Sequence, residues 1–206
     1  MTVPCLLPRS FYSRDTVTVA RELLGKALVR RSRDGLWMGV ISETEAYGGA
    51  EDSASHARHG RTSRNFPMFG PAGWSYVYFI YGMHHMLNVV TEKAEIAGAV
   101  LIRGLHRIEP AADAAMPPGG SPDGPAKLCR ALQIDRKLNH WDLTRGKRLW
   151  LESRRPIPDR YVKRGPRVGI AYASEADRQT PWRFRVEPSW WTAAGSDSAG
   201  VESNIG

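Results

Sequence analysis

Residues 26–47 read KALVRRSRDGLWMGVISETEAY, and their pattern predicts a β-hairpin. Two runs of apolar and β-branched residues flank the tripeptide Arg-Asp-Gly, which is typical of a tight turn between antiparallel strands. Because side chains alternate along a strand, Glu43 and Glu45 should project from the same face of the second strand. The other members predicted for this face are Ile41 and Tyr47. The hairpin therefore directs two carboxylates and a tyrosine to one side of a sheet.

Further strands are predicted along the chain. Residues 73–91, GWSYVYFIYGMHHMLNVVT, are rich in aromatic and β-branched residues and are interrupted once by glycine. They predict a second hairpin with its turn at 81–84, Tyr-Gly-Met-His. Residues 97–108, AGAVLIRGLHRI, predict a more buried strand. The segments RVGIAYA at 167–173 and PWRFRV at 181–186 predict closing strands.

Two short helices and two irregular segments complete the expected organisation. Residues 15–25 combine helical spacing of apolar side chains with a polar start and a final glycine, and residues 125–134 begin with a proline favoured in a first helical turn. A Pro/Gly/Asp-rich loop is expected at 110–124, and the tail is expected to be frayed from Ala193. With 206 residues, 42% of them hydrophobic, the chain 1–206 is predicted to form one domain.

The charge distribution indicates a polyanionic partner. The formal charge is +8 and the sequence pI is about 9.8. Residues 126–167 alone contain thirteen basic and four acidic side chains, a net charge of +9, so phosphate contacts are expected there. Cys5 and Cys129 lack the spacing of a metal site or a disulfide framework, which fits the reducing cytoplasm. No secretion signal or long apolar run is evident, so no membrane association is expected.

A loop after the first hairpin concentrates titratable side chains. Glu51, Asp52, His56 and His59 lie within nine residues of one another. The basic and amide side chains between and after them are Arg58, Arg61, Arg64 and Asn65. Such a density in a glycine-rich loop is typical of a functional site. The alternative is that the two glutamates of the hairpin are only paired charges on a solvated strand face.

The second hairpin places aromatic residues close together. For Tyr76, Tyr78 and Phe79 core packing is the more common role. Tyr81 differs because it precedes Gly82 at the turn, where a large ring has little core to enter. A ring exposed at such a tip can wedge between DNA bases.

Two other chemistries are disfavoured by spacing and position. A metal site could draw on the histidines at 56, 59, 84 and 85 with Glu51 or Asp52, but no HExxH or CxxC spacing supports it, and no metal is expected. The second chemistry is cleavage at a sugar by a lysine nucleophile that forms a Schiff base. Lys26, Lys93 and Lys127 all lie outside the acidic and aromatic cluster in the sequence.

Several motifs together resemble one enzyme family. In chain order they are ETEAY, EDSASHA, RNFPMFGPAGWSYVYFIYGMHHMLNVVT, VLIRG, PAKLCRAL and RVGI. Over roughly residues 8–190 the chain resembles the alkyladenine (3-methyladenine) DNA glycosylases of the single-domain mammalian type, which also occur in bacteria. The resemblance implies an α+β fold, a single mixed domain in which helices surround a curved antiparallel β-sheet, with a protruding hairpin that inserts into DNA. The lack of a long N-terminal extension fits a compact prokaryotic enzyme.

The resemblance also implies roles for individual residues. Glu45 matches the general base that activates a water, whereas Glu43 has no such role. Arg103 and the backbone carbonyl of Val168 match positions that hold this water, and Tyr81 matches the residue that fills the gap left by a flipped nucleotide. The residues that match the pocket for the flipped base are Tyr47, Ala54, His56, Tyr78, Asn88 and Leu101. The residues that match phosphate contacts are Arg61, Lys127 and Arg136.

The activity implied is that of a monofunctional glycosylase. Its expected partner is double-stranded DNA with alkylated or deaminated purines, namely 3-methyladenine, 7-methylguanine, hypoxanthine or ethenoadenine, and its product is an abasic site. We expect no cofactor, a monomer, and a location in the bacterial cytoplasm at the nucleoid. His84 and His85 replace larger aromatics of the mammalian relative, and the loop at 110–124 has no clear counterpart. These departures bear on lesion range and on local DNA contacts, and not on the reaction class.

Two other functions fit part of the pattern. A module that recognises lesions without cutting would keep Tyr81 and the basic segment and would not need Glu45. A carbohydrate hydrolase could use Glu43 and Glu45 as an acid–base pair. Side chains two residues apart on a strand are about 6.5–7 Å apart at the backbone and point the same way. Such hydrolases place their carboxylates on opposite sides of the glycosidic bond, which disfavours this alternative.

Overall fold

The computed structural model describes residues 5–111 and 122–197. The larger part of the loop predicted at 110–124 therefore lies outside the described residues, as does the tail beyond residue 197. Helix α5 continues to Asp197, past the predicted start of the frayed tail at Ala193. The described strands are β1 Ala27–Arg31, β2 Leu36–Tyr47, β3 Ser75–Ile80, β4 His84–Val90, β5 Ala99–Ala111, β6 Leu149–Glu152, β7 Val162–Gly165 and β8 Arg183–Val186. The described α-helices are α1 Arg9–Tyr12, α2 Thr16–Glu22, α3 Pro125–Ala131, α4 Glu175–Gln179 and α5 Pro188–Asp197.

One antiparallel sheet organises these elements. Six strands follow in the order β3-β4-β5-β2-β1-β6, and β8 pairs with β2 and β7. β5 and β8 both pair with the end of β2, at Glu43 to Glu45. The sheet is curled into an antiparallel half-barrel with helices around it, so the predicted α+β fold is confirmed.

Both predicted hairpins are confirmed. In the first, Arg31 of β1 pairs with Leu36 of β2 on either side of the Arg-Asp-Gly turn. In the second, Ile80 of β3 pairs with His84 of β4. Gly82 between them has a φ of +65°, a conformation that glycine adopts at little cost.

The two predicted helices pack against the sheet. α2 is capped by Asp15, whose side chain accepts a hydrogen bond from the Thr18 N–H at 2.7 Å, and the helix buries Val19 and Ala20. α3 begins at Pro125 and buries its apolar side in the same core. No helix in the described part of the chain has the length and apolarity needed to span a membrane.

The prediction of a strand at RVGIAYA is wrong. Residues 167–173 form an irregular segment, although β8 does form within PWRFRV as predicted. Gly169 has a φ of +78°, and the Val168 N–H donates to the Glu45 side chain at 2.7 Å. Because this donor is used by a carboxylate, it cannot join a strand ladder.

Candidate active site

Glu45 is the buried acid of the site. It lies near the end of β2 and opposite Leu101 of β5, and its side chain is 0% exposed. One carboxylate oxygen, Oε1, accepts from the Val168 N–H at 2.7 Å. The other, Oε2, accepts from the Tyr47 hydroxyl at 2.8 Å and from Arg103 Nη1 at 3.3 Å. One donor from the same strand and two from distant parts of the chain thus fix the orientation of one carboxylate.

Burial determines the basicity of Glu45. It raises the pKa of this carboxyl above its ordinary value, while the Arg103 charge, the Val168 N–H and the Tyr47 hydroxyl act in the opposite direction. A general base works best when its pKa approaches the working pH. Burial therefore makes Glu45 a stronger base than a solvent-exposed carboxylate.

Glu43 has a different environment. Its Oε1 accepts from Arg103 Nε at 3.0 Å and forms an ion pair with Arg183 Nε at 2.7 Å. Two guanidinium groups therefore compensate the charge of Glu43, which lies beside Glu45 and helps to hold Arg103. Glu43, Glu45 and Tyr47 face the same side, as alternation predicted.

Ile41 does not share that face, which corrects the prediction. The pairing of β2 with β5 shifts its register between Ile41 and Glu43, as at a β-bulge. Ile41 consequently packs in the main core with Ala46, a residue that strict alternation assigns to the opposite face.

A cavity of about 420 Å³ is lined by Tyr47, Arg103 and Val168, the three residues that donate to Glu45, whereas Glu45 itself is not among its lining residues. This volume is within the range of small-ligand sites, and aromatic side chains from β2, β3 and the connection at 48–74 form much of the wall. Asn88 and Leu101 are paired neighbours on β4 and β5, and Asn88 Nδ2 donates to the Tyr76 carbonyl at 3.1 Å. The predicted site residues that line this cavity are Tyr47, Ala54, His56, Tyr78, Tyr81, Asn88, Leu101, Arg103 and Val168.

His56 is held between two tyrosines. Its Nδ1 lies 3.0 Å from the Tyr76 hydroxyl, and its ring meets the Tyr78 ring edge-on with 4.7 Å between centroids. Burial lowers the pKa of His56 to about 4, with a further contribution from the charges of Arg64 and Arg58. His56 is therefore a neutral imidazole near pH 7.

Tyr81 forms the tip of the β3–β4 hairpin. It is 82% exposed and has a φ of +53°, which is unusual for a residue with a large side chain. Its neighbour Met83 is 68% exposed. A strained backbone that presents an aromatic ring to solvent at the edge of a cavity is typical of a functional position.

The three predicted phosphate contacts lie outside the cavity lining. Arg61 forms an ion pair with Glu95 at 2.8 Å, and Lys127 is exposed in the first turn of α3. Arg136 is exposed and lines a neighbouring groove with Phe79. Their contacts with phosphate stay a prediction.

A buried ion pair beside the site was not foreseen. Arg167 donates to both oxygens of Asp52, at 2.6 and 2.9 Å, and both side chains are 0% exposed. Arg167 also donates to the Ala46 carbonyl at 2.9 Å. The pair thus ties the acidic loop to β2 and to the segment that carries Val168. Both residues lie in motifs noted in the sequence, but their contact across more than a hundred residues left no local signal.

Tyr172 is a second unforeseen wall residue. Its hydroxyl donates to the Ala54 carbonyl at 2.8 Å, and the Arg58 guanidinium lies 5.1 Å from its ring centroid. The interpretation of RVGIAYA as a strand concealed this position at the cavity mouth. Within the described residues, no group of three or more His, Cys, Asp or Glu side chains is arranged to hold a metal ion.

Comparison with known proteins agrees with this geometry. Residues 10–189 match the family model described as methylpurine-DNA glycosylase. A Myxococcus xanthus protein is 44% identical over 189 residues, which cover 92% of this chain and 94% of the relative. A Legionella pneumophila protein is 47% identical over 171 residues, covering 82% and 88%, and a Carboxydothermus hydrogenoformans protein is 45% identical over 187 residues, covering 88% and 95%. All three are named as candidate 3-methyladenine DNA glycosylases.

The fold, the site and these matches define a DNA glycosylase, a hydrolase that acts on N-glycosyl bonds in DNA repair. The chain belongs to the methylpurine-DNA glycosylase family, and the family resemblance identified in the sequence is confirmed.

Proposed function

We propose that this protein excises alkylated or deaminated purines from double-stranded DNA. The proposed substrates are 3-methyladenine, 7-methylguanine, hypoxanthine and ethenoadenine, and the proposed product is an abasic site. The observation that carries the proposal is a fully buried Glu45 whose three hydrogen-bond donors, on Tyr47, Arg103 and Val168, belong to residues that line an aromatic cavity of about 420 Å³. The names of the bacterial relatives support 3-methyladenine as one substrate.

Base flipping is the first proposed step. A stacked purine presents neither its faces nor its C1′ atom to a protein, so the nucleotide must leave the duplex, at a cost of a few kcal/mol. Tyr81 is exposed on a protruding hairpin at the mouth of the cavity, where its ring can fill the gap and offset part of that cost.

Recognition would rest on the aromatic walls and on a neutral histidine. A purine methylated at N3 or N7 is cationic and stacks favourably against Tyr47 and Tyr78 by cation–π attraction. A pKa of about 4 leaves His56 uncharged near pH 7, so it does not repel a cationic base. Asn88 and Leu101 lie side by side in the lining, where they would crowd the exocyclic amino group of normal guanine.

Hydrolysis is proposed to use a water activated by Glu45. The C1′–N bond breaks with its electron pair moving to the departing purine, while the water oxygen forms the new bond to C1′ and Glu45 accepts its proton. The glutamate carboxylate also stabilises the oxocarbenium-like charge on the sugar. Arg103, and the Val168 carbonyl, are proposed to hold the water. A cationic purine leaves without further protonation, whereas a neutral lesion depends more on the electrostatics of the pocket.

The test compares Glu45→Gln with wild type under single-turnover conditions, in the presence of EDTA. The substrates are duplexes with one hypoxanthine or ethenoadenine, and methylated genomic DNA. Released base is measured by chromatography and abasic sites by alkaline cleavage. We expect the variant to lose at least about a hundredfold in rate, which is the typical contribution of a general base.

Two outcomes would contradict the proposal. Excision by Glu45→Gln at the wild-type rate would show that Glu45 is not the base. Tight lesion binding by wild type without base release would identify a recognition module. Glu175→Gln is the matched control, since this exposed residue pairs with Arg178 on the surface and should leave the rate unchanged.

We further propose that the protein acts as a monomer at the bacterial nucleoid. One chain supplies Glu45, its three hydrogen-bond donors and the cavity walls, which supports a monomer. Sedimentation of the protein with and without DNA tests the stoichiometry, and two subunits at one lesion would contradict it.

A further inference from the structure

A second groove lies beside the turn of the first hairpin. It has a volume of about 530 Å³ and shares no lining residue with the base cavity. We call it the basic groove. Its lining residues are Arg30, Arg31, Ser32, Arg33, Asp34, Gln133, Asp135, Lys137 and Arg148. Five of these side chains are basic and two are acidic, so the groove carries a net charge of +3.

Arg30 gives the groove a buried positive charge. It is 8% exposed and donates to the carbonyls of Leu132, Gln133 and Arg148 at 3.2–3.3 Å. These neutral acceptors satisfy its N–H groups, and no carboxylate in the described part of the chain lies within ion-pair distance of it. Burial lowers the pKa of Arg30, and the more distant Asp135 carboxylate only partly opposes this. A buried cation of this kind is stabilised by an anion nearby.

Two exposed arginines of the groove are held by aromatic rings. Arg31 lies 5.6 Å from the ring centroid of Trp150, and Arg148 lies 5.2 Å from that of Trp141. Stacking restricts the guanidinium group, so less conformational entropy is lost when it binds an anion. The groove therefore presents partly ordered cations.

The two acids of the groove are already engaged. Asp34 accepts from the Gln133 side-chain amide at 2.8 Å, and Asp135 accepts from the Lys137 N–H at 2.8 Å. Neither forms an ion pair with a groove cation in the described residues. The net positive charge of the groove is thus left to an external anion.

The short turn at 136–138 connects the basic groove to the expected DNA-binding face. Arg136 lines the neighbouring groove that contains Tyr78 and Phe79. The next residue, Lys137, lines the basic groove. Cations on two consecutive residues of this turn thus line both grooves. Since the protein is a DNA glycosylase, the polyanion that it meets is DNA.

We propose that the basic groove is a second DNA-binding surface, which binds the phosphate backbone of duplex DNA away from the excised nucleotide. Such contacts carry no sequence information, and they raise the affinity for all duplexes. They lengthen the time that the enzyme spends on undamaged DNA while it searches for lesions.

The test is the triple variant Arg33→Gln/Lys137→Gln/Arg148→Gln, titrated with long undamaged duplexes over a range of salt concentrations. Each lost phosphate contact reduces the slope of log K against log salt by about 0.9, so a reduction of roughly two to three is expected. The single-turnover excision rate at saturating enzyme should be unchanged, because none of the three residues lines the base cavity. An unchanged salt slope would overturn the proposal.

Two matched variants separate the groove from general charge effects. The charge-preserving variant Arg33→Lys/Lys137→Arg/Arg148→Lys should retain the wild-type slope. Removing three cations near β7 and β8, in Arg160→Gln/Arg164→Gln/Arg185→Gln, should reduce the slope by less than the groove variant does. Equal reductions of the salt slope in the two triple glutamine variants would mean that only net charge matters. If the groove variant binds DNA like the wild type, and inorganic phosphate raises the Tm of the wild type, the groove is a small-anion site instead. The readout uses undamaged DNA, so it is independent of whether Glu45 is the base.

Discussion

The substitution Asp52→Asn tests the buried ion pair that supports the active site. In the wild type, Arg167 donates two hydrogen bonds to Asp52, and Asp52 also accepts from the N–H groups of Gly48 and Ala54 at 2.9 and 3.0 Å. Asparagine keeps one acceptor oxygen and replaces the other by an NH₂ group, which faces donors. The substitution therefore removes at least one charge-assisted hydrogen bond and leaves the Arg167 charge buried without a carboxylate.

The expected cost of this change is large for a single substitution. Breaking a buried ion pair by removing one partner typically costs about 3–5 kcal/mol. Domains of ordinary stability have about 5–15 kcal/mol in total. We therefore expect Asp52→Asn to unfold at a clearly lower urea concentration than wild type, with an unchanged m-value.

A double-mutant cycle isolates the contribution of the pair. Arg167→Met alone leaves the Asp52 carboxylate buried without its cation, whereas Asp52→Asn/Arg167→Met removes both charges. The double variant should lose less stability than the sum of the two single losses. Urea unfolding followed by tryptophan fluorescence measures all four proteins. A loss below about 1 kcal/mol for Asp52→Asn, or strictly additive losses, would refute this reasoning.

Three further predictions concern the site and its surroundings. Burial lowers the pKa of His56 to about 4 in the folded protein, so between about pH 4 and 6.5 the folded state binds fewer protons than the unfolded chain. The free energy of unfolding should therefore fall as the pH drops from about 6.5 towards 4. His56→Gln should flatten this part of a plot of Tm against pH, and parallel curves for both proteins would rule out the titration of His56 as the cause. Tyr81→Ala should weaken binding to a lesion duplex by about 1–3 kcal/mol, the typical contribution of base–aromatic stacking, and leave binding to undamaged duplex nearly unchanged; equal losses on both would remove its assignment as a wedge. Lys127→Ala should weaken all duplexes alike and reduce the salt slope by roughly one, whereas a lesion-specific loss would contradict a phosphate contact.

The parts of the fold that were predictable depend on local sequence. The turn signal Arg-Asp-Gly and the alternation around it identified β1 and β2, and the glycine at 82 identified the break between β3 and β4. Alternation assigned the correct face to the residues that follow the bulge, from Glu43 to Tyr47. The residue added at a bulge moves every earlier side chain to the opposite face. Ile41 lies on the far side of that bulge, and the sequence alone does not indicate it.

The prediction of a strand at 167–173 was wrong for a different reason. Valine, isoleucine and tyrosine are favourable strand residues, so its composition is that of a strand. Its backbone conformation depends instead on hydrogen bonds to Glu45 and on the Arg167–Asp52 pair, all from residues more than a hundred positions earlier. Tertiary contacts of this range override local propensity and cannot be seen in a window of sequence.

The candidate site was identified mainly through family resemblance. From the residues alone, Glu43 and Glu45 were equivalent, and burial and partners distinguish them only in the folded protein: Glu43 has two guanidinium partners, and Glu45 is fully enclosed. The structure brings nine of the predicted residues to one cavity, and their individual roles stay predictions.

The hydrogen bonds on Glu45 also depend on how much of the chain has been synthesised. Glu45 lies in the first quarter of the chain, but its donors follow at Arg103 and Val168. β8, which pairs with β2 at Glu45, emerges still later. A ribosome-bound chain halted before Val168 would carry the hairpin tip and the acid without the amide that holds the acid in place. The three hydrogen bonds on Glu45 can therefore exist together only after synthesis has passed Val168, more than a hundred residues beyond Glu45 itself.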